Sequence, residues 1–369
     1  MNYYTETNYF DHDELLNAYG KGRDDYFEMF RRCGLVRIPI RVFKDRQQVG
    51  LISRIRLEAG LRREWKKALS KAGRGDTLFI HTPPSEKFSG FESSIRLARS
   101  RGCRIAVVVF DLEEFMSPFT MANGRLKYYM SRRLEQRILS LADAVMVHND
   151  AMKEYIAGMG VPRVMIVPVG VMDYLRDEEP DEDEIMSRRG RSLPLQFCGS
   201  LAAEKAGFVR EIPADLSVDI YGSGLSCQPG GNVSYRGAYD STELMDILAG
   251  SFGLVWDGAS ADTVSGAFGE YMRYSSPHKM ALYLASGLPV IVWKESAMAG
   301  FVEREKCGIT VGSLHDVRGL IDAISDEEYC EMTKNAIRIA ADLRKGSHIR
   351  NAVEKTIEIL SCRSGEHGR

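Results

Sequence analysis

The stretch from Phe252 to Trp293 constrains the fold more than any other part of the chain. It begins with the apolar run Phe252–Trp256 and ends with the apolar run Leu288–Trp293, and each run has the length of a buried strand. The apolar residues between Met280 and Leu284 predict a helix that leads into the second strand. A strand, a helix and a strand in this order are typical of a parallel sheet covered by helices.

The predicted helix begins in a way that suits an anion. Ser276 is a good N-cap and Pro277 suits the first helical position. The amides of His278 and Lys279 then point out of the positive helix end, and a lysine beside such amides suits a diphosphate. An ordinary strand–helix–strand unit explains the caps equally well, but it does not explain the long polar loop before Ser276. We therefore predict a phosphate site here.

Strands and helices alternate over the rest of the chain as well, and Arg104–Phe110 is the clearest buried strand of the first half. The acidic run Asp177–Glu184, followed by arginines, predicts a charged linker. Nothing apolar frames Asp181 and Asp183, so we do not interpret them as a metal-binding pair. The predicted fold class is α/β with two Rossmann-like domains. Their predicted extents are 1–170 for the N-terminal domain, 171–193 for the linker, 194–345 for the C-terminal domain and 348–361 for a last helix.

Glycines follow three successive strands of the predicted second domain. Gly199-Ser200 follows the strand that ends at Cys198, Gly222 follows the next strand, and Gly237 follows the third. A single glycine here is weak evidence, because turns in α/β proteins use glycine anyway. Three in a row indicate an edge of the sheet that a ligand approaches closely.

Composition excludes several classes of protein. The net charge of −2 excludes a globally basic nucleic-acid-binding protein. The seven cysteines are scattered without a CxxC pair, which indicates reduced thiols and the cytosol and gives no support for a zinc site. The sequence has no apolar run long enough to span a membrane, and its start is polar and acidic, unlike a secretory signal. We therefore expect a cytosolic protein that is at most peripheral to a membrane.

The segments WDG, GEYMRYSSPHK and SGLPVIVW, with the strand and helix around them, resemble the nucleotide-binding half of GT-B glycosyltransferases. More narrowly, the chain resembles the bacterial group of glucosyltransferase 3-type and β-1,6-galactofuranosyltransferase-like enzymes, most densely over residues 195–312. The resemblance implies two Rossmann-like domains that face each other across a cleft, with the last helix packed back on the first. It also implies a UDP-sugar donor, a glycan, lipid-linked or glycoprotein acceptor, and no metal cofactor.

On this interpretation the second domain binds the donor. The diphosphate would be held by His278, Lys279 and the backbone of Ser275 and Ser276, although Lys279 could also be a solvent-exposed helix lysine. Lys205 resembles a basic residue that related enzymes place near the phosphates. The other donor-side candidates are Gly199, Ser200 and Gly222 in the glycine turns, Tyr221 and Tyr239 near the base or as core residues, and Asp257, Asp262, Glu270 and Arg273 near the ribose and sugar hydroxyls.

The candidate general base lies in the first domain. Asp111 ends the buried strand at its carboxyl edge, with Glu113 and Glu114 as alternates, and any of them could instead be an ordinary first-turn carboxylate. Related enzymes have His-Asp where this chain has Phe110-Asp111. Many retaining GT-B enzymes carry a second glutamate at the position that His278 occupies here, so its absence favours inversion.

Other first-domain candidates concern the acceptor and a surface. His81 ends a strand and could touch the acceptor, while Lys21 and Arg23 lie in a glycine-containing segment that resembles a loop closing over the site. Two basic sets are either solvated helix faces or a patch for anionic lipid. They comprise Arg54, Arg56, Arg62, Arg63, Lys66 and Lys67 around Trp65, and Arg125, Lys127, Arg132, Arg133 and Arg137.

Three functions remain open from the sequence. The first is a glycosyltransferase that uses a UDP-sugar and binds no nucleic acid. The second is a sugar-nucleotide epimerase on the same fold, and the third is a non-catalytic subunit that binds a partner transferase. The sequence leaves the oligomeric state open, including a homo-oligomer.

Overall fold

The computed structural model describes residues 1–9, 18–42, 51–82, 90–112, 115, 125–225 and 230–362. The chain forms two compact units. The first comprises Met1–Leu15, Tyr26–Val169 and Ile349–Arg369, and the second comprises Leu16–Asp25 and Gly170–His348. The last helix thus belongs to the first unit from Ile349 onward, where the Arg104 guanidinium donates to the carbonyl of Leu360 at 3.1 Å.

The first unit contains a six-stranded parallel sheet in the order β2-β1-β3-β4-β5-β6. Its strands are β1 (Asn2–Tyr9), β2 (Val36–Val42), β3 (Thr77–Thr82), β4 (Arg104–Val109), β5 (Ala144–Val147) and β6 (Ile166–Pro168). The helices between them are α1 (Ala18–Arg32), α2 (Leu51–Leu69), α3 (Phe91–Ser100), α4 (Arg125–Leu139) and α5 (Asp150–Gly158). Pro39 lies in β2, where the edge position tolerates its missing N–H.

The second unit contains another six-stranded parallel sheet, in the order β12-β11-β10-β7-β8-β9. Its strands are β7 (Leu195–Cys198), β8 (Val218–Tyr221), β9 (Val233–Tyr235), β10 (Gly253–Val255), β11 (Val290–Trp293) and β12 (Gly308–Val311). Its helices are α6 (Glu182–Ser187), α7 (Ala203–Ala206), α8 (Ser241–Ile247), α9 (Gly266–Tyr271), α10 (His278–Ala285), α11 (Ala299–Glu305), α12 (Val317–Ala323), α13 (Asp326–Lys345) and α14 (Ser347–Cys362), which continues into the first unit. Because the chain runs from β7 outward to β9 and returns at β10, the sheet has its topological switch point between β7 and β10.

Helix α10 packs unusually close to the centre of the second sheet. Every residue from Lys279 to Ala285 is buried, and the Tyr283 hydroxyl accepts a hydrogen bond of 2.6 Å from the amide of Cys198. A Cβ at Gly253 would lie 2.2 Å from Cγ of the Tyr283 ring. The first residue of β10 must therefore be glycine for α10 to reach this position.

The predicted α/β class with two Rossmann-like domains is confirmed, and several details differ from the prediction. The loop predicted after β10 contains the short helix α9, and strand β12 was not predicted. Helix α1 begins at Ala18 instead of Arg23. The stretch predicted as a linker contains α6, and Asp181 is its N-cap, since its carboxylate accepts from the Glu184 amide. None of the helices in the described ranges has the length and apolar character needed to cross a membrane.

We expect Gly253→Ala to destabilise the second unit by about 3 kcal/mol, because the added methyl overpacks a buried ring that has no room to move. The shift of the urea unfolding midpoint measures this effect. Gly300→Ala is the matched control, since Gly300 lies in helix α11 with open space around it and alanine favours a helix. Equal midpoints for the two variants would contradict the close packing of α10.

Candidate functional site

The turns that follow β7 and β8 bring bare backbone together at the carboxyl edge of the second sheet. Gly199 has φ +150° and Gly222 has φ +139°, and a Cβ at Gly222 would lie 1.8 Å from the carbonyl oxygen of Gly199. The Gly222 amide donates to the carbonyl of Gly237, the third predicted glycine, at 2.9 Å. Ser200 is exposed beside them. The predicted glycine turns are thus adjacent, a side chain at Gly222 would collide with the Gly199 carbonyl, and positive φ values disfavour side chains at Gly199 and Gly237.

Lys279 lies directly below this edge. Its Nζ donates to Oδ1 of Asp257 at 2.8 Å and to the carbonyl of Trp256 at 2.9 Å. The same ammonium lies 4.5 Å from the centre of the Phe197 ring. Lys279 is only 9% exposed, so the alternative of a solvent-exposed helix lysine is wrong. The ion pair instead joins the start of α10 to the end of β10 at the switch point of the sheet.

The charges at this edge are not balanced. Burial lowers the pKa of Lys279, the Asp257 carboxylate opposes that effect, and the nearby Lys205 ammonium lowers the pKa further. Lys205 lies over the ring of Phe268 in α9, 5.3 Å from its centre. The Asp257 carboxylate pairs with Lys279, and Lys205 places a second ammonium close enough to repel it. A bound anion would relieve the repulsion between the two lysines.

The start of α10 differs from the prediction. Pro277, with ψ 129°, is the N-cap, and within the described part of the chain no side chain caps this helix. The prediction that Ser276 is the N-cap is wrong, because its hydroxyl donates to the carbonyl of Gly170 at 2.7 Å and lies 3.3 Å from the sulfur of Met298. The start of α10 is the positive end of the helix dipole, which favours a nearby anion.

The His278 ring is enclosed by segments that the sequence analysis did not connect with it. The ring of Tyr174 lies 5.0 Å away between centroids. A Cβ at Gly22 would lie 2.8 Å from Cδ2 and 2.9 Å from Nε2 of His278. The Gly20-Lys21-Gly22 pattern was the only sequence signal for this contact. Gly22 therefore belongs to the surroundings of the site.

Further contacts tie the start of α1 to the second unit. Nζ of Lys21 donates to the carbonyl of Leu175 at 2.9 Å and pairs with Asp25. The Asp25 carboxylate in turn accepts from the Leu175 amide at 3.1 Å. Burial raises the pKa of Asp25 to about 6, although the Lys21 ammonium opposes this. By its contacts, the segment Leu16–Asp25 belongs to the second unit. Nε of Arg23 lies 3.7 Å from the Asp24 carboxylate.

The remaining charged candidates on the donor side form ion pairs with other side chains. Arg273 is held between two carboxylates, Glu270 at 3.0 Å and Glu295 at 2.5 Å, and its guanidinium lies over the Trp293 ring at 4.5 Å. The Glu295 hydrogen bond, followed by that of Glu270, raises the pKa of Arg273 against the effect of burial. Asp262 pairs with His315 at 3.3 Å on the surface.

The two predicted base-site tyrosines differ in burial. Tyr221 is buried, which raises its pKa to about 12, whereas Tyr239 is 37% exposed. The two ring centres are 6.2 Å apart. Tyr239 lies against Gly237, where a Cβ would be 3.5 Å from its ring. Tyr221 is therefore a core residue, and Tyr239 has an exposed face at the sheet edge. Ser275 is buried immediately before α10.

In the first unit, Asp111 follows the end of β4 and is partly exposed, while Glu113 and Glu114 lie outside the described residues. His81 is buried in β3 and stacks on the Phe110 ring at 5.4 Å. The sequence analysis missed His148, which follows β5 and whose Nε2 lies 2.8 Å from the Phe110 carbonyl. Burial lowers the pKa of His148 to about 4, so the neutral ring donates to this carbonyl and fixes the backbone just before Asp111.

Two solved structures share the fold over nearly the whole chain. Sucrose-phosphate synthase from Thermosynechococcus elongatus superposes with a TM-score of 0.60 at 12% identity and covers 98% of this chain and 99% of that one. Anabaena HepE, solved in complex with UDP and glucose, has a TM-score of 0.54 at 12% identity, over 97% and 99% of the two chains. These likenesses show the GT-B fold.

Sequence relatives define the family more narrowly. β-1,6-Galactofuranosyltransferase WbbI from Escherichia coli is 30% identical over 227 residues, which cover 61% of this chain and 66% of that protein. Glucosyltransferase 3 from Streptococcus gordonii is 23% identical over 311 residues, or 82% of this chain and 86% of that protein. Residues 2–170 match the glucosyltransferase 3-like N-terminal domain, and residues 195–356 match the glucosyltransferase 3-like C-terminal domain. The chain therefore belongs to the glucosyltransferase 3-like family of GT-B glycosyltransferases.

Proposed function

We propose that this protein transfers a hexose of the glucose, galactose or galactofuranose type from a UDP-sugar to a glycan, lipid-linked or glycoprotein acceptor. The observation that carries this proposal is that two ammonium groups, Lys279 and Lys205, lie near each other beside the positive end of helix α10. The relatives named for galactofuranosyl and glucosyl transfer support the sugar class.

We assign the diphosphate to this edge. The amides of His278 and Lys279 meet the phosphate oxygens, and the two ammonium groups balance their charge. When the bond between the sugar and UDP breaks, negative charge grows on the leaving diphosphate, and these fixed donors stabilise it. We infer that no metal is required, because the chain supplies this positive charge itself.

Asp257 takes a different role from the one expected for it. Its Oδ1 is bound to Lys279, and both groups are buried. We infer that Asp257 keeps the Lys279 ammonium charged and oriented, in place of a contact to the ribose. Tyr239 remains the candidate for the base, and Glu270 and Arg273 remain the candidates for sugar hydroxyls.

For the chemical step we propose inversion, with Asp111 as the general base. Its carboxylate takes the proton of the acceptor hydroxyl, the acceptor oxygen bonds to the anomeric carbon, and the bond to the UDP oxygen breaks. Glu113, which lies outside the described residues, remains the alternate base. The absence of a glutamate at the His278 position supports inversion, since the retaining pattern of the fold uses one there.

The experiment that tests this function incubates the protein with UDP-glucose, UDP-galactose or UDP-galactofuranose, with and without glycan and lipid-linked acceptors. We expect UDP release that depends on the acceptor, together with a β-linked product. An isomerised sugar nucleotide formed without acceptor would instead establish an epimerase. Activity that arises only with a second protein would establish a partner subunit.

Lys279→Ala should weaken UDP binding by roughly 10- to 100-fold, the value of a lost charge-assisted hydrogen bond. Isothermal titration calorimetry with UDP measures this. Because the variant leaves Asp257 buried without its partner, Lys279→Ala/Asp257→Ala provides a second variant in which no buried charge remains. Lys334→Ala, at an exposed helix position, is the control. Unchanged affinity in the folded double variant would exclude the assigned diphosphate site.

Gly22→Ala should weaken UDP binding about tenfold, because the new methyl would displace the His278 ring and with it the start of α10. Gly60→Ala, in a helix with open space at that position, is the matched control. In a His278→Ala background the Gly22→Ala change should have no further effect. Additive losses in that double-mutant cycle would show that Gly22 acts by another route.

Asp111→Asn should lower kcat by about 10²- to 10⁴-fold, because the amide cannot accept the acceptor proton. The UDP affinity should stay unchanged, since Asp111 is assigned to the acceptor. Steady-state kinetics with saturating donor separates the two effects. A variant with full kcat would move the assignment to Glu113 or Glu114.

A further inference from the structure

Helix α2 of the first unit has one well-buried face. Leu61, Trp65 and Leu69 are buried, and Trp65 packs edge-on against Phe91 of α3 with ring centres 4.9 Å apart. Successive helical residues are turned by about 100°, so these positions define the inward side of α2. The opposite side of the helix faces away from this packing.

That opposite side is basic with one large apolar residue. Ile55 is 61% exposed, and the exposed residues around it include Ala59. The acidic residues Glu58 and Glu64 are half-buried at the flanks, and no acidic residue is exposed among the side chains described for α2. The exposed cations of this basic face are Arg56, Arg62, Arg63, Lys66 and Lys67.

Several arginines on other helices of the first unit form ion pairs, whereas most of the cations on the basic face of α2 do not. In α1, Arg31 pairs with Glu28, and in α3, Arg96 pairs with Glu92, which also pairs with Arg137 of α4. By contrast, no carboxylate in the described ranges forms an ion pair with Arg56, Arg63, Lys66 or Lys67. Since the whole chain carries a net charge of −2, these four cations are a local concentration of positive charge.

We propose that the basic face of α2 docks on an anionic lipid surface. A helix that lies flat on a membrane needs cations at the level of the headgroup phosphates and an apolar side chain that enters the acyl boundary. The exposed arc of α2 offers both, with Ile55 among the cations. An exposed isoleucine has no such use in a contact with nucleic acid phosphates. This docking is independent of the transfer reaction proposed above.

The test uses the full chain and vesicles of phosphatidylcholine, with or without phosphatidylglycerol, in a sedimentation assay. We expect binding to the anionic vesicles alone, and binding that falls as salt screens the charges. Equal binding to neutral vesicles, or no binding to anionic ones, would overturn the docking. Binding to heparin or single-stranded DNA without binding to vesicles would overturn it in favour of a polyanionic partner.

Two variants locate the contact. Arg63→Gln/Lys66→Gln/Lys67→Gln should lower vesicle affinity on the order of a hundredfold, about fivefold for each cation. Ile55→Ser should lower affinity while the dependence on salt is kept. The matched control Lys334→Gln/Arg350→Gln/Lys355→Gln removes the same charge from other exposed helix positions and should bind as the parent does. Equal losses in the two triple variants would show that only the net charge matters.

Discussion

The buried ion pair between Lys279 and Asp257 is the interaction on which the candidate site depends. Desolvation disfavours a buried ammonium, and the 2.8 Å contact with the carboxylate offsets part of that cost. The pair also fixes the start of α10 relative to the end of β10. Lys205 adds a second ammonium near Lys279, and the diphosphate that we propose for this part of the sheet edge would balance the two charges.

Glycines let backbone segments approach closely around this pair. Gly253 gives α10 room above the sheet, and Gly199 and Gly222 bring two turns into contact over the lysine. The strained φ values of these two turns are accessible to glycine and to few other residues. The bare backbone and the positive charge therefore arise at one place from one packing constraint.

Positive charge is used in two different ways in the two units. In the second unit it is buried and oriented, which suits a small anion held in one geometry. On the basic face of α2 it is exposed and spread over several side chains, which suits an extended anionic surface. The net charge of the chain, −2, indicates neither feature. The two roles are inferred from the positions of the individual cations.

The sequence by itself determined the class of fold and predicted the edge of the second sheet at which the candidate site lies. Apolar runs and glycines mark where strands end, and parallel strands bring their carboxyl ends to one side, so Gly199, Gly222 and Asp257 were predicted together. Only the tertiary structure decided that Lys279 is buried against Asp257 and that Gly22 packs on His278. The hydrogen bond from the Ser276 hydroxyl to the Gly170 carbonyl and the edge strand β12 also became known only from the structure. These contacts join residues far apart in the chain, and local periodicity carries no information about such partners.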